Sequence, residues 1–399
     1  MPADHPAPGQ ALRPLRAAPA LLSSALALLS LLGSAGLWVC LAVTRRHFRG
    51  APPEACARPM TLIKPIKGRD DAMEDGFRAI VAADPGRTLQ VLIALETADD
   101  PAYPVARAFA DAHPDRDIEV VLTGPSGPRM GKIHNMIEAA PRAKHRVILF
   151  SDADVRITPT LLSDTARAFD AGADAVYALP YHAFVSGPGG WLFLVAFNHS
   201  FCVPVALTYR LGKLRSFAGA WMGYTKEALA AIGGLERFEN AIAEDFSLGL
   251  AASRAGLRQV LLREPVLVRE TGTSVSEAFT HISKWTSIIF WSWPAPVIAA
   301  PFASPCLLGY ISIALAVTLG LPVKLSLFAV SVAALSRIAV GVLQDEFLSG
   351  SRAPFWSYAL LPIADLGALI FLPLALRRTV TWRGKTYRLT LGGHAEVVA

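Results

Sequence analysis

The chain has 399 residues, of which 53% are hydrophobic and only 18% charged. An ordinary soluble globule carries about 25% charged residues, so part of this chain is expected in lipid. The formal net charge of +6 is not gathered into basic runs interleaved with aromatics, which argues against a nucleic-acid partner. In a membrane chain such an excess marks segments facing the cytoplasm. Cys40, Cys56, Cys202 and Cys306 show no CxxC spacing, so neither a disulfide framework nor a zinc site is indicated.

Residues 1–20 are rich in Pro and Ala and are expected to be a disordered N-terminus. Residues 21–43, "LLSSALALLSLLGSAGLWVCLAV", hold no charge and are long enough to cross a bilayer. They end in "TRRHFR" rather than a cleavage site, which favours an anchor over a signal peptide. Arg45, Arg46 and Arg49 then place the following domain in the cytoplasm by the positive-inside rule. A Pro-containing linker covers 51–59.

From about residue 60 the texture is that of an α/β domain. The runs "MTLI", "LQVLIAL", "IEVVL", "VILF" and "DAVYAL" read as strands. Helical patterns lie near 72–82, 102–113, 131–140 and 159–171. This alternation predicts a mostly parallel, Rossmann-like sheet flanked by helices, with ligands at the carboxyl ends of its strands.

After 286 the chain is apolar again, with spans read near 305–321, 323–343 and 355–376. The stretch "SIIFWSWPAPVIAA" (287–300) is rich in Trp and Pro and suits an interface. The tail 377–399 begins with the basic "RRTVTWRGKTYR" and is expected in the cytoplasm. A cytoplasmic domain and tail require an even number of later crossings, so either 287–303 also spans or one of the three does not. No internal repeat is present.

Four acidic or mixed motifs can carry chemistry. "FSDADVRI" places Asp152 and Asp154 on one side of a strand end. That suits either a hard divalent ion with phosphate oxygens or an acidic turn in which Asp154 caps the next helix. "LETADDPAYPV" offers Asp100 to a uracil or ribose, or as a cap of the helix beginning near Pro101. "AIAEDFSLG" puts Glu244 and Asp245 in a first helical turn, where the dipole favours them; a carboxylate there can also act as a general base. "SVSEAFTHISKWTSIIF" carries a capping-box pattern at Ser274 and Glu277. Its His281, Lys284 and Trp285 share a helical surface and could anchor at an interface or hold a diphosphate. Lys64 and Lys132 sit beside apolar runs, where a sheet edge could aim them at phosphate or leave them solvated.

The ordered array "LIKPIKG", "DDPAYPV", "GKIHNMI", "SDADVRITPTLL", "ALPY", "AIAEDFSLG", "HISKW" and "TWRGKTYRL" resembles the ceramide glucosyltransferases. The likeness runs from about residue 60 to the C-terminus and includes the apolar anchor. The resemblance implies a GT-A catalytic domain over 60–285, a membrane domain over 286–376 and a multi-pass protein, here of a bacterial inner membrane. The family's three aspartates fall on Asp100 (nucleotide), Asp152 (nucleotide and metal, with Asp154 completing the metal site) and Asp245 (catalytic base). Lys64 and Lys132 join the nucleotide-sugar site. The family's Gln/Arg-x-x-Arg-Trp motif falls on His281, Lys284 and Trp285. His here replaces Gln or Arg, and Lys replaces Arg, which keeps the charge but loses the bidentate fork.

The implied reaction is inverting transfer of a hexose, glucose foremost, from a UDP-sugar to the primary hydroxyl of a ceramide-like lipid, with Mg²⁺ or Mn²⁺ as cofactor. A hopanoid or diacylglycerol acceptor, or UDP-N-acetylglucosamine or UDP-galactose as donor, stays open. A non-catalytic scaffold or a transporter is the reading from another class. The few charges within the spans, chiefly Lys324, Arg337 and Asp365, and the lack of repeat halves tell against it.

Overall fold

The computed structural model describes residues 13–49, 58–69, 73–153, 155–183, 185–212, 214, 218–269, 272–382 and 385–398. These divide into two compact units. One comprises the described residues up to Ala42 with Pro294–Leu374; the other comprises Val43–Trp293 with the described residues from Ala375. Helix α1 (Arg13–Phe48) begins ahead of the predicted apolar run. Residues 13–20, assigned by sequence to a disordered end, are therefore helical, as their Ala, Leu and Arg content allows. Residues 1–12 lie outside the described residues.

The larger unit opens with β1 (Met60–Pro65), α2 (Met73–Ala83), β2 (Leu89–Leu95), α3 (Tyr103–Asp111), β3 (Asp117–Leu122), α4 (Gly131–Ala139) and β4 (Val147–Ser151). It continues with α5 (Pro159–Asp170), β5 (Ala175–Tyr177), β6 (Pro180–Ala183), α6 (Gly187–Ala196) and α7 (Val205–Arg210). Then come β7 (Trp221–Thr225), α8 (Lys226–Ala231), α9 (Glu244–Arg254), β8 (Gln259–Leu261), β9 (Val266–Arg269) and α10 (Val275–Ser292). The main sheet has the order β3-β2-β1-β4-β7-β5-β8. Its pairings are parallel except where β7 runs antiparallel between β4 and β5. The α/β class and each of the five predicted strands are thus observed.

The reason is burial. Every residue of β1, β2 and β4 is buried, as expected of parallel strands covered on both faces. Met60, Leu62, Val91, Ile93 and Leu149 join Phe77 of α2, Phe109 of α3 and Phe169 of α5 in one core. Thr158 caps α5, accepting from Leu161 N (3.0 Å), so the capping duty offered to Asp154 falls to Thr158. The predicted capping box at Ser274 and Glu277 starts α10. Gly189 lets α6 approach that same turn, because a Cβ there would lie 2.2 Å from Ser274 O.

Residues after Ala375 return to this unit as a three-stranded antiparallel sheet of β10 (Thr379–Trp382), β11 (Lys385–Leu389) and β12 (Ala395–Val397). The stretch read as a basic tail is therefore folded: its Val380, Tyr387, Leu389 and Ala395 are buried with Ile242 and Ile288.

In the apolar unit the helices are α11 (Pro294–Ala299), α12 (Pro305–Thr318), α13 (Lys324–Ser349), α14 (Phe355–Ala359), α15 (Leu361–Ala364) and α16 (Gly367–Ala375). Among the described residues, three helical stretches are long and apolar enough to cross a membrane: Ala18–Phe48, Gly187–Arg210 and Lys324–Ser349. Pro294–Ala303 and Pro305–Thr318 pass that test together but are bent by 56°. The span predicted at 355–376 is broken into α14, α15 and α16; Pro362, in the first turn of α15, has no N–H with which to continue the ladder from α14. Sequence reading passed over Gly187–Arg210, which lies in the α/β unit and is interrupted by a π-helical turn at Phe197–Phe201.

Polar side chains inside the apolar unit pair with one another, as a low-dielectric setting demands. Ser312 Oγ donates to Ser23 O (2.7 Å) and lies 2.8 Å from Ser326 Oγ. Arg337 and Asp365, two of the charges within the predicted spans, form a buried ion pair at 2.8 Å. Tyr358 donates to Asp345 Oδ2 (2.8 Å).

Candidate active site

The antiparallel entry of β7 beside β4 creates the site. Ser151 pairs with Trp221, and Asp152 N donates to Ala220 O (3.3 Å). Asp152 thereby leaves the end of β4 next to the chain entering β7. Lys132, in the first turn of α4, reaches it: Lys132 Nζ is 2.6 Å from Asp152 Oδ1 and 2.6 Å from Glu244 Oε1. Glu244 and Asp245 open α9, whose N-cap Ala243 supplies no capping side chain. Asp245 Oδ1 accepts from Phe246 N (2.7 Å). Three carboxylates from two elements thus surround one ammonium.

Electrostatics follow from that arrangement. Burial works against the charge of Lys132, but Asp152, Glu244 and Asp245 outweigh it and hold its ammonium above the ordinary lysine range. Asp245 is pushed up to about 7, first by desolvation and then by the Glu244 carboxylate beside it, against the pull of Lys132. A carboxyl poised there can accept a proton near neutral pH.

The remaining predicted residues are placed as follows. Lys64 is fully buried in β1, and its ammonium donates to Asp152 O (2.6 Å) and Ser151 Oγ (3.3 Å), so it braces the backbone behind Asp152. Asp100 accepts from Gly68 N (2.9 Å) and Ala102 N (2.9 Å), stapling the loop after β1 to the start of α3. Asp154 lies outside the described residues. His281, Lys284 and Trp285, expected on one surface of α10, meet different partners. His281 and Trp285 join an aromatic cluster with Phe193 of α6 (centroids 5.8 Å and 5.2 Å). The Lys284 ammonium instead stands 4.0 Å from the centroid of the Trp382 ring.

Sequence reasoning missed three residues. Glu96 accepts from Ser126 N (3.1 Å) and from Lys67 (3.2 Å), ordering the loop that leads to Lys132. Glu244 was visible only as a helix-start acid. Gly219 stands where a Cβ would fall 2.9 Å from Asp245 Oδ2 and 3.0 Å from Lys132 Nζ. Its only signal in the sequence is a small residue ahead of β7. Gly219→Ala is expected to displace both groups and to lower turnover by about 10²-fold, the scale of an ångström-sized misplacement. Steady-state kinetics on the folded variant checks this.

A divalent ion also fits the residues present. Mg²⁺ takes one or two carboxylates and completes its shell with phosphate oxygens and water. Asp152 offers such a carboxylate, with 37% of its side chain exposed at the strand end. Among the described residues no group of three or more His, Cys, Asp or Glu is arranged to hold a metal, so the ion would depend on phosphate oxygens for much of its shell.

The sequence model described as glycosyl transferase family 21 matches residues 25–395. Ceramide glucosyltransferase 1 of Caenorhabditis elegans is 23% identical over 265 residues, 65% of this chain, and the match spans only 55% of that relative's length. Ceramide glucosyltransferase 3 of the same organism is 24% identical over 84% of this chain and 73% of its own length. Among solved structures, a mannosyltransferase from Pyrobaculum calidifontis in complex with GDP-Man and Mn2+ aligns with TM-score 0.47 and 18% identity, covering 88% of this chain and all of its own. TarS of S. aureus in complex with UDP-GlcNAc aligns at 0.39 and 13% identity, covering 86% and 99%. With the match running through the anchor, the Asp152–Lys132–Glu244–Asp245 cluster and the C-terminal sheet, the chain belongs to glycosyl transferase family 21.

Proposed function

We propose that this chain is an inverting glycosyltransferase that moves a hexose, glucose foremost, from a UDP-sugar to the primary hydroxyl of a membrane lipid such as ceramide. The observation that carries the reading is Asp245, a carboxyl pushed up to about 7 at the start of α9 and held within one cluster with Lys132, Glu244 and Asp152. The family and the names of the curated relatives support the substrate class. A hopanoid or diacylglycerol acceptor, or a UDP-N-acetylglucosamine or UDP-galactose donor, would use the same chemistry.

In this reading Asp245 takes the proton of the acceptor hydroxyl. The oxygen attacks the anomeric carbon from the face opposite the diphosphate. The new glycosidic bond forms as the bond to the diphosphate breaks, and UDP departs. Lys132 holds Asp152 and Glu244 in place and faces the developing negative charge; Lys64 fixes the Asp152 backbone from behind. Asp152, with Asp154, would hold the Mg²⁺ or Mn²⁺, whose chemistry is to neutralise the diphosphate. Lys284 supplies a further cation for the departing nucleotide, while His281 and Trp285 shape the wall beside it. Asp100 orders the loops on the nucleoside side. The apolar helices keep the acceptor in the bilayer, with the α/β unit on the cytoplasmic side.

The test is a donor-by-acceptor panel with purified protein in lipid vesicles, read by mass spectrometry of the lipids. A hexosyl-lipid formed from a UDP-sugar supports the reading and names both substrates. A folded protein that transfers no sugar to any lipid in the panel overturns it.

A further inference from the structure

The C-terminal sheet is built into the candidate site rather than appended to it. Its buried face shares a cluster with Met130, the residue before α4, and with Ile242 and Ala243, the residues before α9. Ala395 N donates to Asn240 O (2.9 Å) and Gly392 N to Trp291 O (2.9 Å). Lys385 Nζ reaches Ser126 Oγ (3.3 Å) and Gly127 O (3.2 Å) in the loop ahead of Lys132. The segments that carry Lys132 and Glu244–Asp245 therefore rest on the same small sheet that presents Trp382 to Lys284.

This arrangement bears on residue 284, which is a lysine. An arginine orients through its planar fork, whereas a lysine is a point charge on a flexible stem and needs an external restraint. An indole face 4.0 Å from the ammonium is such a restraint, and tryptophan is the ring best suited to it. The geometry points to Trp382 as a positioning residue that fixes the Lys284 ammonium for the diphosphate of the nucleotide, with the C-terminal sheet as its rigid mount. This rests on the reading of Lys284 as a nucleotide-binding cation. Trp382 itself touches no reacting atom; it acts through Lys284.

A double-mutant cycle on the full-length protein in vesicles tests the idea, with UDP as the probe. Inhibition by UDP and the donor KM are measured for Trp382→Leu, Trp382→Phe, Lys284→Met and the variant combining Trp382→Leu with Lys284→Met, with thermal unfolding of each. Trp382→Leu is expected to weaken UDP about tenfold, between the effects of losing an exposed and a desolvated cation–π contact. Trp382→Phe retains most of the affinity, and Trp382→Leu adds nothing once Lys284→Met is in place. The loss should appear in the donor KM more than in kcat, as for an interaction equal in ground and transition states. If Lys284→Met weakens UDP but Trp382→Leu does not, or if the two losses add, the positioning role is overturned. If Lys284→Met leaves UDP affinity unchanged, the nucleotide role of Lys284 fails first. If Trp382→Leu weakens UDP only in step with a lowered unfolding temperature, also when combined with Lys284→Met, Trp382 is a packing residue and the proposal is wrong.

Discussion

Asp245→Asn is expected to lower sugar transfer by about 10²–10⁴-fold, the usual contribution of a positioned general base, while UDP still binds. Asparagine keeps the shape and the bond from Phe246 N but cannot take a proton from the acceptor. Retained turnover with an intact UDP affinity would remove Asp245 from the mechanism. The same residue sets a pH dependence with a fixed sign. The base must be ionised to work, so kcat/KM should fall as the pH drops through about 7. Glu244 raises this value and Lys132 lowers it. Glu244→Gln should therefore shift the acidic limb to lower pH. A limb that stays in place, or moves upward, would show that Glu244 is not what holds Asp245 up.

Lys132→Met carries the second large effect. It leaves Asp152, Glu244 and Asp245 facing one another with no cation between them. Removing one partner of a fully buried pair costs about 3–5 kcal/mol. Lys132 keeps 32% of its side chain exposed, so solvent screening lowers the expected cost to about 1–3 kcal/mol, between the buried and exposed limits. Three signs should appear together: a lower unfolding temperature, a higher donor KM and an acidic limb moved to higher pH. The last is opposite to the shift expected for Glu244→Gln, so the pair of profiles separates this cluster from a general loss of stability. Lys132→Arg should recover part of the stability, because the charge returns with a different shape.

Much of the α/β unit was legible in the sequence, and the reason is local. β1, β2 and β4 are continuous apolar runs because parallel strands are buried on both faces. The helix beginning near Ser274 announces itself through a capping box, whereas the cap of the helix beginning at Pro159 was looked for at Asp154 and is Thr158. β7, by contrast, is the glycine-containing "WMGYT". Its glycine is required because a Cβ at Gly223 would fall 2.5 Å from Leu149 Cδ2 of the neighbouring strand, a constraint that exists only after β4 and β7 pair. The basic-looking C-terminal tail was misjudged for a similar reason: its alternation is short, and its apolar partners Ile242 and Ile288 are distant in sequence.

By itself, then, the sequence determined the α/β class and most of the apolar helices, because strand patterning and hydropathy are properties of neighbouring residues; Asp100, Asp152 and Asp245 were singled out by the family resemblance, their local patterns being equally those of caps and turns. Only the tertiary structure decided how those positions are used. It set Lys132 among three carboxylates, put Lys64 behind Asp152 rather than in front of it, and brought Lys284 onto the ring of Trp382. Each of these depends on distances between segments far apart in the chain, and charge interactions that vary steeply with such distances leave no mark in local composition.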